Sequence, residues 1–175
     1  LIEAEGLELS ETELLHQCIF MLNAGHETST NMLSHGLNEL INNRDQYSLL
    51  QKEHRRIDTA VDEILRFQPP IQINNRRCLE KTILGDIIVP EGTSVHMIIA
   101  AANRDPSQFF EPEIFNISRS PNRHLSFGLG IHICAGINLA RLEAKVAFQG
   151  LLSSFKEINL LKKPNIANRI RFREI

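Results

Sequence analysis

The chain has 175 residues, of which 42% are hydrophobic and 23% are charged, and its formal net charge is -2. This length is sufficient for one domain with a hydrophobic core, and the near-neutral charge gives no reason to expect nucleic acid or an anionic membrane as a partner. No apolar run approaches the roughly 18 residues of a membrane-spanning helix, and no basic-then-apolar leader opens the sequence, so we expect neither a membrane protein nor a secreted one.

The first part of the chain is predicted to be helical. Ser10 and Thr12 precede Glu13 and a long pattern of apolar residues at three- and four-residue spacing, which predicts a helix over about 11–42. A short helix is expected at 44–52. A third helix is expected over about 56–67, where two prolines stop it.

The long helix contains the segment Ala24-Gly25-His26-Glu27-Thr28. Glycine in a helix interior costs about 1 kcal/mol relative to alanine. The Thr28 hydroxyl can bond back to the carbonyl of Ala24 and so bend or widen the turn. An exposed Glu27 beside a threonine that faces its own helix is the default interpretation of these residues. The alternative is a site where a carboxylate and a hydroxyl act together.

The second part of the chain changes character. Short β-rich runs at 71–73, 82–84, 87–89 and 94–99 are separated by glycine- and proline-containing turns, which predicts a small antiparallel sheet within residues 71–100. Residues 103–126, called the meander below, have little periodicity, and loops of this length are usually functional. A helix over about 135–153 and a β-inclined tail follow. The predicted fold class is mainly α with a small antiparallel β-sheet (α+β).

Residues 127–136, called the cysteine loop below, combine glycine-punctuated turns with one cysteine. The glycines let the backbone fold tightly and approach a flat ligand, and Cys134 directly precedes the predicted final helix, whose N-terminus favours negative charge on sulfur. A phosphate-binding turn is the weaker interpretation because no acidic residue follows at dinucleotide spacing. A buried, inert cysteine is the common role of such a residue. Zinc would need about four ligands, and His132 with Cys134 supplies two.

Six positions of the cysteine loop resemble the haem-binding loop of the cytochrome P450 family, the haem-thiolate monooxygenases, in its soluble bacterial form: Phe127, Gly128, Gly130, His132, Cys134 and Gly136. The resemblance implies that Cys134 is the axial thiolate ligand of haem b (iron protoporphyrin IX). It implies that Phe127, Gly128 and Gly130 shape the haem-binding loop and that His132 binds a propionate. Ala135 departs from the leucine of many relatives.

The same resemblance assigns roles outside the loop. It implies that Glu27 and Thr28 are the acid–alcohol pair that delivers protons to dioxygen. It implies a second propionate ligand at Arg76. We favour Arg76 over Arg77 on its offset from Pro70, since strand alternation turns only one of the two inward.

Glu63 and Arg66 share one helical face at i,i+3, and a solvent-exposed ion pair is the default account of that spacing. The resemblance instead implies a structural cluster in which Glu63 lies between Arg66 and Arg119 and locks the meander.

The resemblance covers only the C-terminal portion of the family's fold, as a single partial domain over 1–175. It implies insertion of one oxygen atom from O2 into a small organic substrate, with electrons from a ferredoxin- or flavodoxin-type donor and its reductase. We expect no turnover and poor haem retention from the isolated chain. A non-catalytic haem-binding module and a remnant without haem are the alternatives. Three cysteines without CxxC spacing indicate a reducing, cytoplasmic location.

Overall fold

The structure, a computed structural model, describes residues 9–167 and 169–172. Single turns of 3₁₀ helix lie at His54–Arg56 and Gly130–His132. The predicted fold class, mainly α with a small antiparallel β component, is confirmed. In chain order the elements are α1 (Glu11–Asn42), α2 (Arg44–Lys52), α3 (Ile57–Phe67), β1 (Ile73–Arg77), β2 (Thr82–Leu84), β3 (Ile87–Val89), β4 (Ser94–Ile98), α4 (Ile99–Ala102) and α5 (Ile137–Ser154).

Helix α1 begins at a capping box. The Glu13 amide donates to Ser10 Oγ at 3.3 Å, and the Glu13 carboxylate accepts from the Ser10 amide at 2.8 Å. These bonds satisfy donors that a helix leaves unpaired at its first turn. The Ser10 amide and the Ser10 hydroxyl, which both donate to the Glu13 carboxylate, lower the pKa of Glu13 below its usual value. The first half of α1 is largely exposed, whereas its second half enters the core.

The core lies where the second half of α1 meets α3 and α5. Gly36 permits the close approach of the three helices: a Cβ at this position would lie 2.6 Å from Phe148 Cζ and 2.9 Å from the Ile64 side chain. Phe115 and Ile117 of the meander pack against the same cluster. The buried helical side chains of this core include Met32, Leu40, Ile57, Ala60, Val61, Ile64, Leu65, Ala144, Phe148 and Leu152.

The β region forms two separate antiparallel pairs rather than one continuous sheet. Strands β1 and β4 pair from Ile73 opposite Ile98 to Arg77 opposite Ser94. Strands β2 and β3 form a hairpin whose turn includes Gly85 at φ +60°, a left-handed conformation that glycine tolerates best. None of the helices in the described ranges is long and apolar enough to cross a lipid bilayer.

Candidate functional site

The cysteine loop is closed by backbone hydrogen bonds. The Cys134 amide donates to the Phe127 carbonyl at 2.8 Å, and the Gly128 amide donates to the Leu125 carbonyl at 2.9 Å. Gly128 and Gly130 have φ values of +73° and +74°, so a side chain at either position would be strained. A Cβ at Gly128 would also lie 3.4 Å from the His132 carbonyl. The glycine spacing therefore sets the path of the chain up to Cys134.

Cys134 lies just before α5, and its side chain is exposed rather than enclosed. The helix begins at Ile137, two residues later than the sequence suggested, because Cys134 to Ile137 first form a turn closed by a 3.3 Å bond between the Ile137 amide and the Cys134 carbonyl. A Cβ at Gly136 would lie 3.9 Å from Cys134 Sγ, so the sulfur lies against the residue that caps α5.

The side chains around Cys134 could bind a metal ion only if a cofactor supplied most of its ligands. In residues 9–167 and 169–172, no group of three or more His, Cys, Asp or Glu side chains is arranged to hold a metal ion. A single accessible sulfur could still hold a porphyrin iron, because the macrocycle would supply the nitrogen donors. The residues present therefore fit haem better than a bare ion.

The two predicted propionate ligands are both exposed. His132 ends the 3₁₀ turn of the loop, and Arg76 lies on β1 opposite Val95, where its Nη1 donates to the Asn75 carbonyl at 2.9 Å. Arg77 is on the other face of the strand, near the turn at Gly92. Within the described chain, no hydrogen bond joins Arg76 or His132 to Cys134.

The Glu27–Thr28 segment is half-buried and remains α-helical throughout. Thr28 Oγ1 donates to the Ala24 carbonyl at 2.6 Å, the bond that its spacing predicted, without interrupting the helix. Glu27 Oε1 lies 3.6 Å from Nη1 of Arg169 in the C-terminal tail. Ser29 Oγ, on the next residue, donates to a carboxylate oxygen of α5.

Glu63 lies between two guanidinium groups, with no solvent exposure of its side chain. Arg66 donates from Nε and Nη2 to the two carboxylate oxygens at 2.8 Å each, and Arg119 Nε contacts the same oxygens at 3.1 and 3.3 Å. Glu63 also accepts the Asn116 amide at 2.9 Å. The remaining donors of both arginines bind main-chain carbonyls of the meander, including that of Ile114. The cluster therefore holds the meander against α3.

A second polar centre fixes the start of the cysteine loop. The fully buried Asn103 accepts the Leu125 amide at 2.8 Å and donates to Ser126 Oγ at 2.9 Å. Ser126 Oγ in turn donates to the Leu65 carbonyl of α3 at 2.7 Å. Sequence reasoning did not identify this centre, because Asn103 lies more than twenty residues before the loop.

Sequence reasoning also missed an ionic contact between α3 and α5. Asp58 pairs with Lys145 at 3.0 Å, and Asp62 pairs with Arg141 at 2.9 Å. The two acids are four residues apart on α3 and the two bases four residues apart on α5, so each set lies on one helical face. This matched spacing of opposite charges in two predicted helices was the available signal.

Comparisons with known proteins agree with one another. The model of the family described as Cytochrome P450 matches residues 1–170. A biotin biosynthesis cytochrome P450 of Bacillus subtilis (strain 168) is 41% identical over 153 residues, which make up 87% of this chain and 39% of that protein. The polyketide biosynthesis cytochrome P450 PksS of the same organism is 41% identical over 164 residues, 93% of this chain and 40% of that protein.

The structural comparison gives the same result. The crystal structure of P450BioI in complex with hexadec-9Z-enoic acid ligated acyl carrier protein has a TM-score of 0.95 and 38% identity, over 98% of this chain and 45% of that one. The chain thus spans about two fifths of the length of the first curated relatives that it matches.

Proposed function

The chain belongs to the cytochrome P450 family, and we propose that it carries the cysteine-bearing part of a haem-thiolate monooxygenase, which inserts one atom of O2 into a small organic substrate. The observation that carries the proposal is the Cys134 loop. Its sulfur is accessible, lies at the N-terminal end of α5 and is placed by two left-handed glycines and a bond to the Phe127 carbonyl.

In this proposal Cys134 holds haem b as a thiolate, and His132 and Arg76 donate to its propionates. When bound, the haem supplies the oxygen-activating redox chemistry, which an axial thiolate favours by raising electron density at the iron. The support for Cys134 as the ligand is its place in the glycine-bounded loop, two residues before the cap of α5. The support for Arg76 over Arg77 is that the two side chains leave β1 on opposite faces.

In this proposal, Glu27 and Thr28 deliver protons to the site from the α1 side. Because Thr28 Oγ1 donates its own proton to the Ala24 carbonyl, its lone pairs remain able to accept a hydrogen bond from an incoming donor. The Glu27 carboxylate, half-exposed beside Arg169, takes up a proton from solvent and releases it into the site, where the Thr28 hydroxyl orients the proton donor by accepting its hydrogen bond. The Glu63 cluster acts at a distance by fixing the meander that leads to the cysteine loop.

Electrons come, in this proposal, from a separate ferredoxin- or flavodoxin-type donor with its reductase, as the resemblance to soluble bacterial cytochromes P450 implies. A cytosolic location is part of the proposal and is supported by three free cysteines, Cys18, Cys78 and Cys134. The substrate is proposed only as a small organic molecule.

A haemin titration followed by reduction and addition of carbon monoxide tests the proposal. We expect the red-shifted Soret band of a thiolate-ligated haem in the parent chain, its loss in Cys134→Ser, and its retention in Cys18→Ser, which alters another exposed cysteine. A red-shifted band that survives in Cys134→Ser would disprove the assignment of the ligand.

A haem-binding module without turnover is the second candidate, and the exposure of residues 128–136 favours it. The yield of hydrogen peroxide per electron consumed distinguishes the monooxygenase from this module. Under the monooxygenase proposal, Thr28→Ala raises this yield while the carbon monoxide spectrum stays unchanged. Thr30→Ala is the matched control, because Thr30 makes the same type of bond, to the His26 carbonyl at 2.8 Å. Equal peroxide yields in the two variants would favour the module.

A further inference from the structure

Three nitrogen atoms from two different segments converge on one oxygen of Asp62. Arg141 of α5 donates from Nε to Asp62 Oδ1 at 3.0 Å, its Nη2 lies 2.9 Å from that oxygen, and His124 Nε2 lies 3.4 Å from it. His124 belongs to the meander just before the cysteine loop, and Arg141 follows that loop on α5. Asp62 on α3 therefore joins the two ends of the segment that carries Cys134.

The tautomer of His124 is set by a neighbouring amide. The Ser126 amide donates to His124 Nδ1 at 3.3 Å, so Nδ1 is the acceptor and Nε2 carries the proton that faces Asp62. The His124 side chain is only 3% exposed. Its ring is thus fixed on one side by the backbone of the loop and on the other by the Asp62 carboxylate.

Both partners of Asp62 contact the ring of Phe127. The His124 ring lies 5.8 Å from the Phe127 ring, centroid to centroid, and the Arg141 guanidinium carbon lies 5.2 Å from the same centroid. The Phe127 ring also packs on the edge of the hydrophobic core. The Phe127 carbonyl, finally, accepts the amide of Cys134 at 2.8 Å. A continuous set of contacts therefore leads from Asp62 to the backbone of the cysteine.

We propose that Asp62 is a positioning residue for Cys134: it holds His124 and Arg141 against the ring of Phe127 and thereby keeps the cysteine loop in the conformation that presents the sulfur. The inference rests on the proposed function, because it concerns the residue proposed as the haem ligand. Asn103 and Ser126 anchor the backbone one turn earlier, at residues 125 and 126, and leave the orientation of the Phe127 ring to the Asp62 contacts. Glu63, the next residue of α3, acts on the meander instead.

Asp58 provides a matched control. It lies one helical turn before Asp62 on α3 and pairs with Lys145 on the same face of α5, but neither partner forms a ring contact or a hydrogen bond with the cysteine loop within the described residues. Asp62→Asn and Asp58→Asn each remove one carboxylate charge between the same two helices. Only the first should affect the loop.

The test is amide hydrogen exchange of the chain without haem, which keeps it independent of haem binding. For Asp62→Asn we expect the Cys134 amide to exchange about tenfold faster, the order expected when a charge-assisted hydrogen bond is lost. Amides of α5 beyond residue 144 should keep their parent rates, as should those of the meander at 110–119. Asp58→Asn should leave the Cys134 amide unchanged, and Asp62→Glu should restore much of its protection.

Arg141→Gln removes the basic partner of Asp62 and should also increase the exchange rate of the Cys134 amide. This second variant keeps the test usable if Asp62→Asn fails to fold. The inference is overturned if Asp62→Asn or Arg141→Gln, once folded, leaves the Cys134 amide at the parent rate, or if exchange rises equally throughout α3 and α5. The haemin titration decides the proposed function separately. Loss of the thiolate-type spectrum in Cys134→Ser, with no exchange effect in Asp62→Asn, would retain that function and reject the positioning role.

Discussion

Arg66 and Glu63 form a two-point ion pair from which solvent is wholly excluded: Nε and Nη2 of the arginine each lie 2.8 Å from a carboxylate oxygen, and both side chains are 0% exposed. Such a pair is costly to bury but far more costly to break, because the remaining partner stays desolvated and unpaired. The surrounding carbonyls of Asn103 and Pro112 accept the Arg66 Nη1 donors at 2.9 Å. These bonds restrict the meander to few backbone conformations.

Glu63→Gln should therefore lower the free energy of unfolding by roughly 3–5 kcal/mol, the range measured when one member of a buried pair is removed. Urea unfolding followed by circular dichroism measures the change. Asp58→Asn, which breaks an ion pair whose acid is 71% exposed, should cost no more than about 1 kcal/mol. If Glu63→Gln lowered the free energy of unfolding no more than Asp58→Asn does, a structural role for the Glu63–Arg66 pair would be contradicted.

Gly36→Ala should destabilise the protein by about 1–3 kcal/mol, as overpacking of a close-packed core usually does. The added methyl would lie 2.6 Å from Phe148 Cζ, inside any tolerated carbon–carbon contact. Gly150→Ala on α5 is the control: nothing lies within 4 Å of its Cβ position, so helix propensity alone should stabilise the protein by up to about 1 kcal/mol. Thermal unfolding measures the sign of the stability change in each of the two variants. Phe148→Leu should reduce the cost of Gly36→Ala, and additive effects would exclude the steric explanation.

The helices and the cysteine loop could be predicted from sequence because their signals are local. The capping box at Ser10 and the apolar periodicity give α1, and the glycines at 128 and 130 indicate left-handed turns before Cys134. The cytochrome P450 fold implied by the loop is confirmed by the superposition on P450BioI. Division of the β region into two pairs was not predictable, since strand partners depend on contacts distant in sequence.

The contacts that support the site were predictable only in part. Arg119 was placed by resemblance, whereas Asn103 carries no local pattern that reveals its bonds to Leu125 and Ser126, and nothing local pairs Asp62 with His124. Exposure of Cys134 also excludes the buried, inert role that is common for such a cysteine. Such features depend on tertiary packing, which period and propensity do not encode.

The Asp62 contacts predict a pH dependence of stability. Burial by itself raises the pKa of Asp62, but the hydrogen bond from His124 and the charge of Arg141 outweigh it, so the pKa lies below its usual value of 3.8. As the pH falls, the unfolded state therefore binds more protons at this carboxyl than the folded state does. The stabilisation is fully present above the unfolded pKa and is lost as the pH falls through the folded one.

Urea unfolding of the parent and of Asp62→Asn between about pH 5.5 and 3 checks this dependence. The difference in unfolding free energy should be constant in the upper part of that range and should shrink once the pH drops below 3.8. Arg141→Gln, which removes the charge that lowers the pKa, should show a weaker dependence than the parent. A difference that stays constant or grows toward pH 3 would show that the Asp62 carboxylate is not stabilised in the folded state.

The bond between Ser29 Oγ and Glu143 Oε2, 2.6 Å long, should couple α1 to α5 energetically. Ser29 follows Thr28, and Glu143 lies six residues after the start of α5, about 9 Å along its axis, so the bond joins the two segments that the proposed site needs. A double-mutant cycle with Ser29→Ala and Glu143→Ala should give a coupling of about 0.5–1.5 kcal/mol in unfolding free energy. Thr30→Ala combined with Glu143→Ala should give none, because Thr30 bonds within its own helix. Equal coupling in the two cycles would assign the effect to general helix packing rather than to the Ser29 hydroxyl.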